Sequence, residues 1–501
     1  VPPPKGSGAA PKQIEYRSID GSGDSKAHPD WNKAGTDFVR VGPARFADGV
    51  DKPMDGPNAR MISNVVVGHG DADIENALGL SAMMYAWGQF IDHDLDLSKS
   101  DGATHIDIVV PDGDPMFAAG TKISMTRAVI DPATGIAGKP AAAVNSITGW
   151  LDASMVYGSN PTTAASLRGA NGTMLTSAGN NLPIVGGMFA AGDVRAQENP
   201  SLTALQTLFV REHNTQAALL RQQHPGWSSD QIYNQARAIV TAEIAHITYN
   251  EFLPHLLGKN AIAPYRGYNP NVDPRITEEF AGAAFRFGHS IVSNVAEKLD
   301  NRGNVAGPSQ SLKDVFFAST ADFEANGGAD GVLRHLGSDL SQELDVRIVD
   351  DLRNFLAAPP AFMDLAAINI QRGRDLGLGT LNDTRAALGF KRYTSFDQIT
   401  SDKQVAADLK TAYGTVDQVE LWIGGLTEEH TKGAFVGQTF QAIIARQFAA
   451  LRDGDRLFYE NQGFDADTLR RIDATTLADI VARNTDTNAI QSDMFLFYER
   501  R

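Results

Sequence analysis

The sequence predicts a mainly α-helical protein with minor β structure. Apolar residues recur at helical spacing in several long segments, capping residues and prolines stand where such segments begin, and strand-like alternation is sparse and short. The chain of 501 residues is long enough to bury a large core. We expect one large domain over residues 15–501, preceded by a flexible tail over residues 1–14 that is rich in Pro and Gly.

Five helical segments are expected along the chain. They span residues 74–92, 200–224, 229–257, 277–292 and 361–370. Asn199 is the expected cap of the second segment, and Pro200 stands in its first turn. Pro254 is expected to kink or end the third segment, because proline lacks the backbone N–H that a helix uses, and Gly258 closes it.

Composition argues against several classes of function. The net charge of −16 disfavours binding to duplex nucleic acid or to an anionic membrane surface. No apolar run approaches the roughly 18 residues of a membrane span. The absence of cysteine excludes disulfides, Cys-ligated zinc, iron–sulfur clusters and a thiol nucleophile, and it suits a microbial protein in an oxidising location. Because the sequence begins at Val1 and shows no signal peptide, we expect a processed chain.

The densest group of chemically active side chains is the run WGQFIDHDLD, which starts at Trp87. Gln89 and His93 are one helical turn apart and therefore share a face, whereas Asp94 lies on another face. The segment can thus serve two sites. Taken alone, it is more typical of a solvated acidic helix end with one incidental histidine.

A second group, at residues 148–154, has the donors that calcium prefers. If this loop is extended, every second side chain points the same way. These residues are Thr148, Trp150, Asp152 and Ser154. Two hydroxyls, a carboxylate and backbone carbonyls are hard oxygen ligands. The alternative is an ordinary turn with a capping aspartate.

A histidine and an asparagine in apolar surroundings form the third group. His289 follows Phe and Ala residues, where a histidine is usually a satisfied core residue, but a haem iron also takes such an imidazole. Asn369 could bond the other nitrogen of a ligating histidine. Arg372 and Arg374 could pair with carboxylates, either of the protein or of haem propionates.

The remaining candidates are weaker. Arg195 and Glu198 stand just before the expected cap, where an ordinary surface ion pair is the simpler interpretation. No HExxH and no Walker A sequence is present. Only His246 has a glutamate three residues before it, so the two Glu-x-x-His motifs of a carboxylate di-iron bundle are missing.

Taken together, these motifs resemble the animal-type haem peroxidases of the peroxidase–cyclooxygenase superfamily. The resemblance covers roughly Glu15 to the C-terminus. It is carried, in family order, by WGQFIDHDLDLS, LDASMVYGS, AGDVRAQENPSLTALQTLFVREHN, AFRFGHSIV, INIQRGRDLGLGTLNDTR, LWIGGLTE and FAALRDGDRLFYEN. Each run is weak alone, but their shared order makes chance a poor explanation.

The resemblance implies one mostly helical domain packed around a buried haem b. By position, His93 matches the distal histidine, and Arg195 matches the distal arginine. Gln89 stands where the family has a distal glutamine near the halide. His289 matches the proximal iron ligand, and Asn369 matches the residue that bonds this histidine.

Further matches concern the edges of the haem and a calcium ion. Asp92 and Glu198 match the two acids that form haem esters in vertebrate members, and Arg372 matches a propionate partner. The resemblance implies a structural Ca²⁺ bound by Asp94, Thr148, the Trp150 carbonyl, Asp152 and Ser154. Arg286, three residues before the proximal histidine, matches the peroxidase branch and is a further expected haem-site residue.

The implied activity is reduction of H₂O₂ and, through a ferryl intermediate, oxidation of iodide, thiocyanate, bromide and phenolic or aromatic donors. Asn199 follows Glu198 where one mammalian member has a sulfonium-forming Met, so we expect one or two ester bonds, no third link and poor chloride oxidation. We also expect a secreted or periplasmic monomer with no nucleic-acid partner.

Two alternatives remain open. Fatty-acid dioxygenases of the superfamily carry a radical-forming Tyr where this chain has Arg286. A non-catalytic matrix or adhesion protein on the same scaffold is disfavoured because the catalytic matches are retained.

Overall fold

The computed structural model describes residues 14–68, 73–354 and 363–499. The helices within these ranges are α1 Ala59–Ile62, α2 Met83–Leu95, α3 Ser154–Tyr157, α4 Pro161–Ser166, α5 Pro200–Gln223, α6 Ser229–Ile247, α7 Leu253–Leu257, α8 Glu278–Gly282, α9 Leu312–Val315, α10 Thr320–Glu324, α11 Gly328–Leu336, α12 Asp350–Arg353, α13 Leu365–Asp375, α14 Leu381–Ala387, α15 Lys403–Tyr413, α16 Leu421–Thr427, α17 Gln438–Asp453, α18 Ala466–Asp473 and α19 Leu477–Asn484. The fold is mainly helical, as predicted. The proposed tail lies outside the described residues except for its last residue, Ile14.

The strands are short and form antiparallel pairs. They are β1 Thr36–Asp37, β2 Ser100–His105, β3 Ile108–Val109, β4 Lys122–Ile123, β5 Thr126–Ala128, β6 Val144–Asn145, β7 Ile184–Val185 and β8 Met188–Phe189. The pairs are β1 with β6, β2 with β5, β3 with β4 and β7 with β8. None of the helices in the described part of the chain is long and apolar enough to cross a bilayer.

Buried aromatic rings fix α2 against the long helix α5. Phe90 stacks on Phe209 with ring centroids 5.2 Å apart, and Trp87 meets the same ring edge-on at 5.7 Å. All three side chains are fully buried. Offset and edge-to-face aromatic pairs add to the gain from burial. The helix that carries His93 is therefore held firmly in the core.

Helix α5 begins and ends as predicted. The Asn199 side chain accepts a hydrogen bond from the Leu202 N–H at 3.0 Å, and Pro200 is the first helical residue. The helix ends at Gln223, just before His224. Side-chain capping accounts for the start of the helix, and Pro225 accounts for its end because a residue before proline disfavours the helical conformation.

The long segment 229–257 is helical throughout, but Pro254 does not end it. A π-helical turn, Thr248–Phe252, joins α6 to α7, and Pro254 sits in the first turn of α7. The wider turn accommodates the proline without ending the helical run. Gly258, with φ of +87°, then closes the segment as predicted.

The prediction of a helix from residue 74 was wrong for its first nine residues, because α2 begins at Met83. The Asn76 side chain accepts hydrogen bonds from the Leu78 and Leu80 N–H groups, which competes with helical bonding. The Asn76 N–H donates to the distant Ser341 carbonyl at 3.1 Å. Contacts remote in sequence therefore override the local pattern.

The predicted helix over residues 277–292 was also wrong. Helix α8 breaks at Ala283, and a tight 3₁₀ turn, Ala284–His289, follows. Phe285 stacks on Phe280 across this break, with ring centroids 4.6 Å apart. The segment predicted at 361–370 is α13, which starts at Leu365; residues 355–362 lie outside the described chain.

Candidate active site

A cavity of about 250 Å³ lies where α2, the start of α5 and the turn Ala284–His289 meet. Seven predicted site residues line it: Gln89, Asp92, His93, Arg195, Glu198, Arg286 and His289. A Cβ added to Gly288 would meet no atom within 4 Å, so the space beside His289 is open. Residues up to 200 positions apart in the sequence thus face one enclosed space.

His93 is held in α2 as a neutral base. Its side chain is nearly fully buried, and its Nδ1 lies 3.8 Å from an oxygen of Asp193. This nitrogen has no hydrogen-bond partner among the described residues. Burial, reinforced by the charge of Arg195, lowers the pKa of His93 to about 3. The imidazole is therefore neutral at ordinary pH and can accept a proton.

Asp193 holds the Arg195 side chain in place. The guanidinium donates from Nε and Nη2 to the two Asp193 oxygens, each at 2.8 Å, and Nη2 also donates to the Asp96 carbonyl at 3.0 Å. Burial works to raise the pKa of Asp193, but its interactions with Arg195 outweigh this and lower it. A two-point ion pair of this kind fixes both position and orientation.

The sequence analysis missed Asp193. It stands two residues before Arg195 in the run AGDVR, which was quoted for its arginine only. An acidic residue next to a candidate catalytic arginine was the available signal. The pairing geometry, however, depends on a loop whose path is not readable from the sequence.

Two buried acids face the cavity near Arg195. Burial raises the pKa of Asp92 to about 6, and it also raises the pKa of Glu198. Within the described residues no N–H or hydroxyl group donates to Oδ1 of Asp92, whose side chain bonds to the Asp96 carboxyl one turn away. A carboxyl paired with another carboxyl keeps acceptor capacity for a group held in the cavity.

His289 contacts Asn369, the residue that the resemblance pairs with it. Nδ1 of His289 lies 2.7 Å from Nδ2 of Asn369, and Oδ1 of Asn369 accepts a hydrogen bond from Arg286 Nη1 at 2.9 Å. Burial, and then the charge of Arg286, lower the pKa of His289 to about 3. The imidazole is neutral, and its Nε2 remains available to bind a ligand in the cavity.

Gln89 and Arg372 occupy different surroundings. Gln89 lines the cavity, and its Oε1 accepts from the Asn199 amide at 2.8 Å. Arg372 is not part of the described cavity wall: its guanidinium donates to Asp375 at 2.6 Å and to the Ser100 hydroxyl at 3.2 Å. These two contacts leave other N–H groups of its guanidinium for a propionate.

The predicted calcium ligands meet between α2 and α3. Ser154 Oγ donates to Asp94 Oδ1 at 3.0 Å, and Thr148 Oγ1 donates to Asp152 Oδ1 at 3.0 Å. Both carboxylates are almost fully buried, and burial raises the pKa of each. The described residues hold no cluster of three or more His, Asp, Glu or Cys that could bind a metal, so neutral oxygens would have to complete this site.

The loop that carries these ligands is strained and covered. Ala153 has a φ of +62°, an uncommon conformation for a residue with a Cβ, and its N–H donates to Asp94 Oδ2 at 3.1 Å. Trp150 is fully buried, and its Nε1 donates to the Gly21 carbonyl at 3.0 Å. The N-terminal segment therefore lies over the loop.

These residues fit a haem. The cavity offers a neutral imidazole with a free nitrogen, the carboxyl group of Asp92 and open space beside His289. A second neutral histidine and a fixed guanidinium stand in the same wall.

The comparison with known families decides the identity. The family described as animal haem peroxidase matches residues 16–495. The chain belongs to the animal haem peroxidase family. Peroxinectin A of Dictyostelium discoideum is 32% identical over 96% of this chain and 96% of its own length. Eosinophil peroxidase of Homo sapiens is 31% identical over 96% of this chain and 76% of its own length.

Some relatives are much longer than this chain. This peroxidase spans only 42% of the length of peroxidasin homolog pxn-2 of Caenorhabditis elegans, which is 32% identical over 97% of the chain. Among solved structures, peroxidase A of D. discoideum superposes with a TM-score of 0.88 at 30% identity and covers 97% of this chain and 100% of its own. The predicted fold class, family and enzyme class, a peroxidase, are confirmed.

A fatty acid alpha-dioxygenase of Arabidopsis thaliana shares the fold. It has a TM-score of 0.83 at 20% identity and covers 96% of this chain and 83% of its own. At that identity the likeness concerns the fold alone.

Proposed function

We propose that this peroxidase reduces hydrogen peroxide in the cavity, with a haem held by His289, and oxidises small anions and aromatic donors. One observation carries the proposal: the neutral base His93 and the fixed cation Arg195 line the same cavity as the free imidazole nitrogen of His289. When bound, haem supplies an iron that takes oxidising equivalents from peroxide and passes them to donors.

His93 would handle the proton of the peroxide. Its Nε2 accepts a proton from one peroxide oxygen and returns it to the oxygen that leaves. Asp193 faces the other ring nitrogen at 3.8 Å, a separation that one water can bridge. This arrangement favours the tautomer of His93 that carries its proton on Nδ1. Nε2 is then free to act as the base.

Arg195 would stabilise the charge that develops as the oxygen–oxygen bond breaks. Its guanidinium is already oriented by the two hydrogen bonds to Asp193, so no reorganisation is needed during the reaction. Gln89, anchored by Asn199, would contact the donor or the halide.

We also propose that Asp92 and Glu198 form one or two ester bonds to haem methyl groups after exposure to peroxide. Each carboxylate–carbon bond would replace one methyl C–H bond, and H₂O₂ would accept the two electrons and be reduced to water. Both acids face the cavity, and no N–H or hydroxyl group of the described residues donates to Oδ1 of Asp92. Asn199, which follows Glu198, serves as a helix cap and has no thioether. We therefore expect no third link, and oxidation of iodide, thiocyanate and bromide but poor oxidation of chloride.

The covalent attachment has its own test. After peroxide treatment, acid–solvent extraction should leave much of the haem on the chain, and mild base should release it by cleaving the esters. Haem that extracts completely would contradict the ester bonds, and efficient production of hypochlorous acid near neutral pH would contradict the halide preference.

A structural calcium and a secreted location complete the proposal. The calcium is supported by two adjacent buried carboxylates, Asp94 and Asp152, with hydroxyls bonded to both. Secretion, or export to a periplasm, and a monomeric state follow from the resemblance and the composition.

The decisive experiment combines the absorption spectrum of the haem-loaded protein with guaiacol and iodide assays. His289→Ala should lose haem or activity, whereas the exposed His105→Ala should retain both. A His289→Ala protein with an unchanged spectrum and normal turnover would contradict the proposal. Oxygen uptake with a polyunsaturated fatty acid should be absent, because Arg286 occupies the position of the radical-forming tyrosine.

A further inference from the structure

We propose that a second cavity, next to the one lined by His93 and His289, binds organic donors that carry a protonated amine at one end and an oxidisable aromatic ring at the other. The inference rests on the proposed peroxidase function, since the active-site cavity would oxidise the ring. It deepens that function, because it names a separate binding site and the charge of the donor that this site selects.

The second cavity adjoins the active-site cavity. It has a volume of about 200 Å³. Four residues line both cavities: Pro200, Ser201, Ala296 and Val315. Pro200 and Ser201 form the start of α5, a short distance along the chain from Arg195. A molecule held in the second cavity is therefore one side chain away from the active-site cavity.

One side of the second cavity is apolar. Phe323 of α10 and Val332 of α11 are buried in its wall, together with Val315 of α9. The Phe323 ring packs edge-on against Phe189, with ring centroids 5.3 Å apart, and this contact holds it in place. Aromatic and aliphatic side chains of this kind are the usual lining of a site for an aromatic ring.

The other side carries carboxylates without a cationic partner. Glu297, Asp314 and Asp322 line the cavity, and within the described residues none of them forms an ion pair. Lys313, next to Asp314 in the sequence, pairs with Asp351 instead. Each of the three acids accepts a hydrogen bond from a serine hydroxyl, respectively of Ser309, Ser311 and Ser319. A carboxylate with one such bond keeps acceptor capacity for a ligand.

The lysine in this wall is already engaged. Lys298 Nζ donates to the backbone carbonyls of Asp322, Phe323 and Ala325, at 2.7, 2.7 and 2.6 Å. An ammonium group has three N–H donors, so all of them are used. Three carboxylates therefore stand in the wall against one ammonium group that is held elsewhere, and this excess of negative charge favours a cationic ligand.

His335 adds a hydrogen-bonding group to the same wall. Its side chain is only 5% exposed. The ring interacts with the Val295 carbonyl, whereas Nε2 has no hydrogen-bond partner among the described residues and lies 3.8 Å from an Asp339 oxygen. Burial lowers the pKa of His335, so its ring is neutral and has a nitrogen that can accept an ammonium N–H.

The second cavity would select and concentrate the donor without taking part in the chemistry. In the oxidation, two phenol O–H groups each lose one electron and one proton. One molecule of H₂O₂ takes up both electrons and both protons and becomes two molecules of water. The site acts on the affinity for the donor, and its effect should therefore appear in KM and not in kcat.

Three phenols of similar shape and different charge test the site in the haem-loaded protein. Tyramine is cationic at neutral pH, 4-ethylphenol is neutral and 3-(4-hydroxyphenyl)propionate is anionic. Titration calorimetry without peroxide measures binding, and initial rates with peroxide give kcat and KM. We expect tyramine to bind about tenfold more tightly than 4-ethylphenol, as one charge-assisted hydrogen bond allows, and the anion to bind more weakly than both.

Two substitutions of Glu297 and one matched control locate the binding. Glu297→Gln removes the charge but keeps an acceptor for Ser309, and Glu297→Lys reverses the charge. Tyramine binding should weaken about two- to fivefold in Glu297→Gln, as for other partly exposed ion pairs, and by about that factor again in Glu297→Lys. Glu324→Gln should bind tyramine like the parent protein, because Glu324 lies on α10 with Asp322 but is not part of the described cavity wall.

Equal affinity for the three phenols, or tyramine binding that both Glu297 variants leave unchanged, would overturn the inference. If Glu297→Lys fails to fold, the salt dependence of the parent protein decides: tyramine affinity should fall as salt screens the carboxylates, and an affinity independent of salt would overturn the inference. Normal iodide oxidation without tyramine binding would contradict the site alone. Charge-selective tyramine binding in a protein that oxidises no donor would support the site and contradict the proposed function.

Discussion

At the distal wall of the cavity, one carboxylate serves two neighbours. Asp193 binds the Arg195 guanidinium at two points and faces Nδ1 of His93 at 3.8 Å. The acid thereby orients a cation for the developing charge and favours a proton on Nδ1 of the histidine. Its own charge raises the pKa of His93, but burial and the charge of Arg195 outweigh this and lower it. Neither effect follows from residue type alone, because both depend on how the 191–195 loop lies against α2.

His93→Ala should slow the reaction with peroxide by about 10²–10⁴-fold, the usual loss when a positioned acid/base is removed. The affinity for the donor should change little, because His93 acts on the peroxide. Stopped-flow measurement of the peroxide step provides the check, with exposed His105→Ala as the control. An unchanged rate would remove His93 from the mechanism.

At the scale of single elements, local chemistry predicted some boundaries and failed at others. The start of α5 was predictable because its cap, Asn199, and its first residue, Pro200, are adjacent in the sequence. The late start of α2 was not, because Asn76 bonds to Ser341 far along the chain. The break at Ala283 likewise depends on aromatic packing in three dimensions.

The candidate site likewise combines contacts that the sequence predicted with contacts that only the structure revealed. His93 and Gln89 could be placed together from helical spacing, since both lie on α2. The pairing of His289 with Asn369 came from the resemblance, and the contact of Arg286 with the same amide required the structure.

The packing of the 191–195 loop on α3 leaves no room for a side chain at Gly192. A Cβ there would come within 3.0 Å of backbone atoms of Ser154, Tyr157 and Gly158. Gly192→Ala should therefore displace the loop that carries Arg195, lower stability by about 1–3 kcal/mol and slow the peroxide step. Thermal unfolding and stopped flow would measure both effects.

Gly226→Ala is the matched control, because a Cβ at Gly226 would meet nothing within 4 Å. If the two variants had the same melting temperature and the same rate of the peroxide step, the tight contact at Gly192 would have no influence on the site.

A buried histidine on α5 makes stability depend on pH. His213 contacts the Tyr157 hydroxyl at 2.9 Å and the Gly172 carbonyl at 2.9 Å, and burial lowers its pKa to about 4. Because the unfolded state binds this proton more readily, the free energy of unfolding should fall as pH decreases from about 6.5 to about 4. The full loss from this group is roughly 3 kcal/mol.

His213→Gln removes this titration. The stability advantage of the parent protein over the variant should shrink as the pH falls from 7 to 4.5, which urea unfolding at several pH values would measure. If the free energies of unfolding of the two proteins differed by the same amount at every pH, His213 would not be the group that makes stability depend on pH.

At the scale of the whole molecule, the loop of residues 148–154, where we propose a calcium ion, is covered by an N-terminal segment that also contacts Asp455. Arg17 donates to Asp24 at 2.5 Å and also binds Asp455, and Arg237 donates to the Arg17 carbonyl at 3.0 Å. The carbonyl of Gly21, in the same N-terminal segment, accepts a hydrogen bond from the indole of Trp150 in this loop. These partners are up to several hundred residues apart, so no sequence pattern could have paired them.

This connection predicts the effect of removing calcium. Elemental analysis of protein purified without chelator should find about one calcium per chain. Chelation should lower the melting temperature and the haem content together, because Asp94 is adjacent to His93 on α2 and its ligand loop is covered by the N-terminal segment. Calcium at about 100 times its dissociation constant should add about 2.7 kcal/mol to the free energy of unfolding.

Asp152→Asn should reproduce the effect of chelation, whereas exposed Asp112→Asn should not. Hydrogen exchange should then rise in two separate regions, residues 14–32 and the end of α2, since both pack on the loop that the ion would hold. This joint response distinguishes a structural ion from general destabilisation, in which exchange would rise throughout the chain. A purified protein without bound calcium, or exchange that rises at α2 alone, would contradict the account of a calcium site joining the N-terminal segment to the catalytic helix.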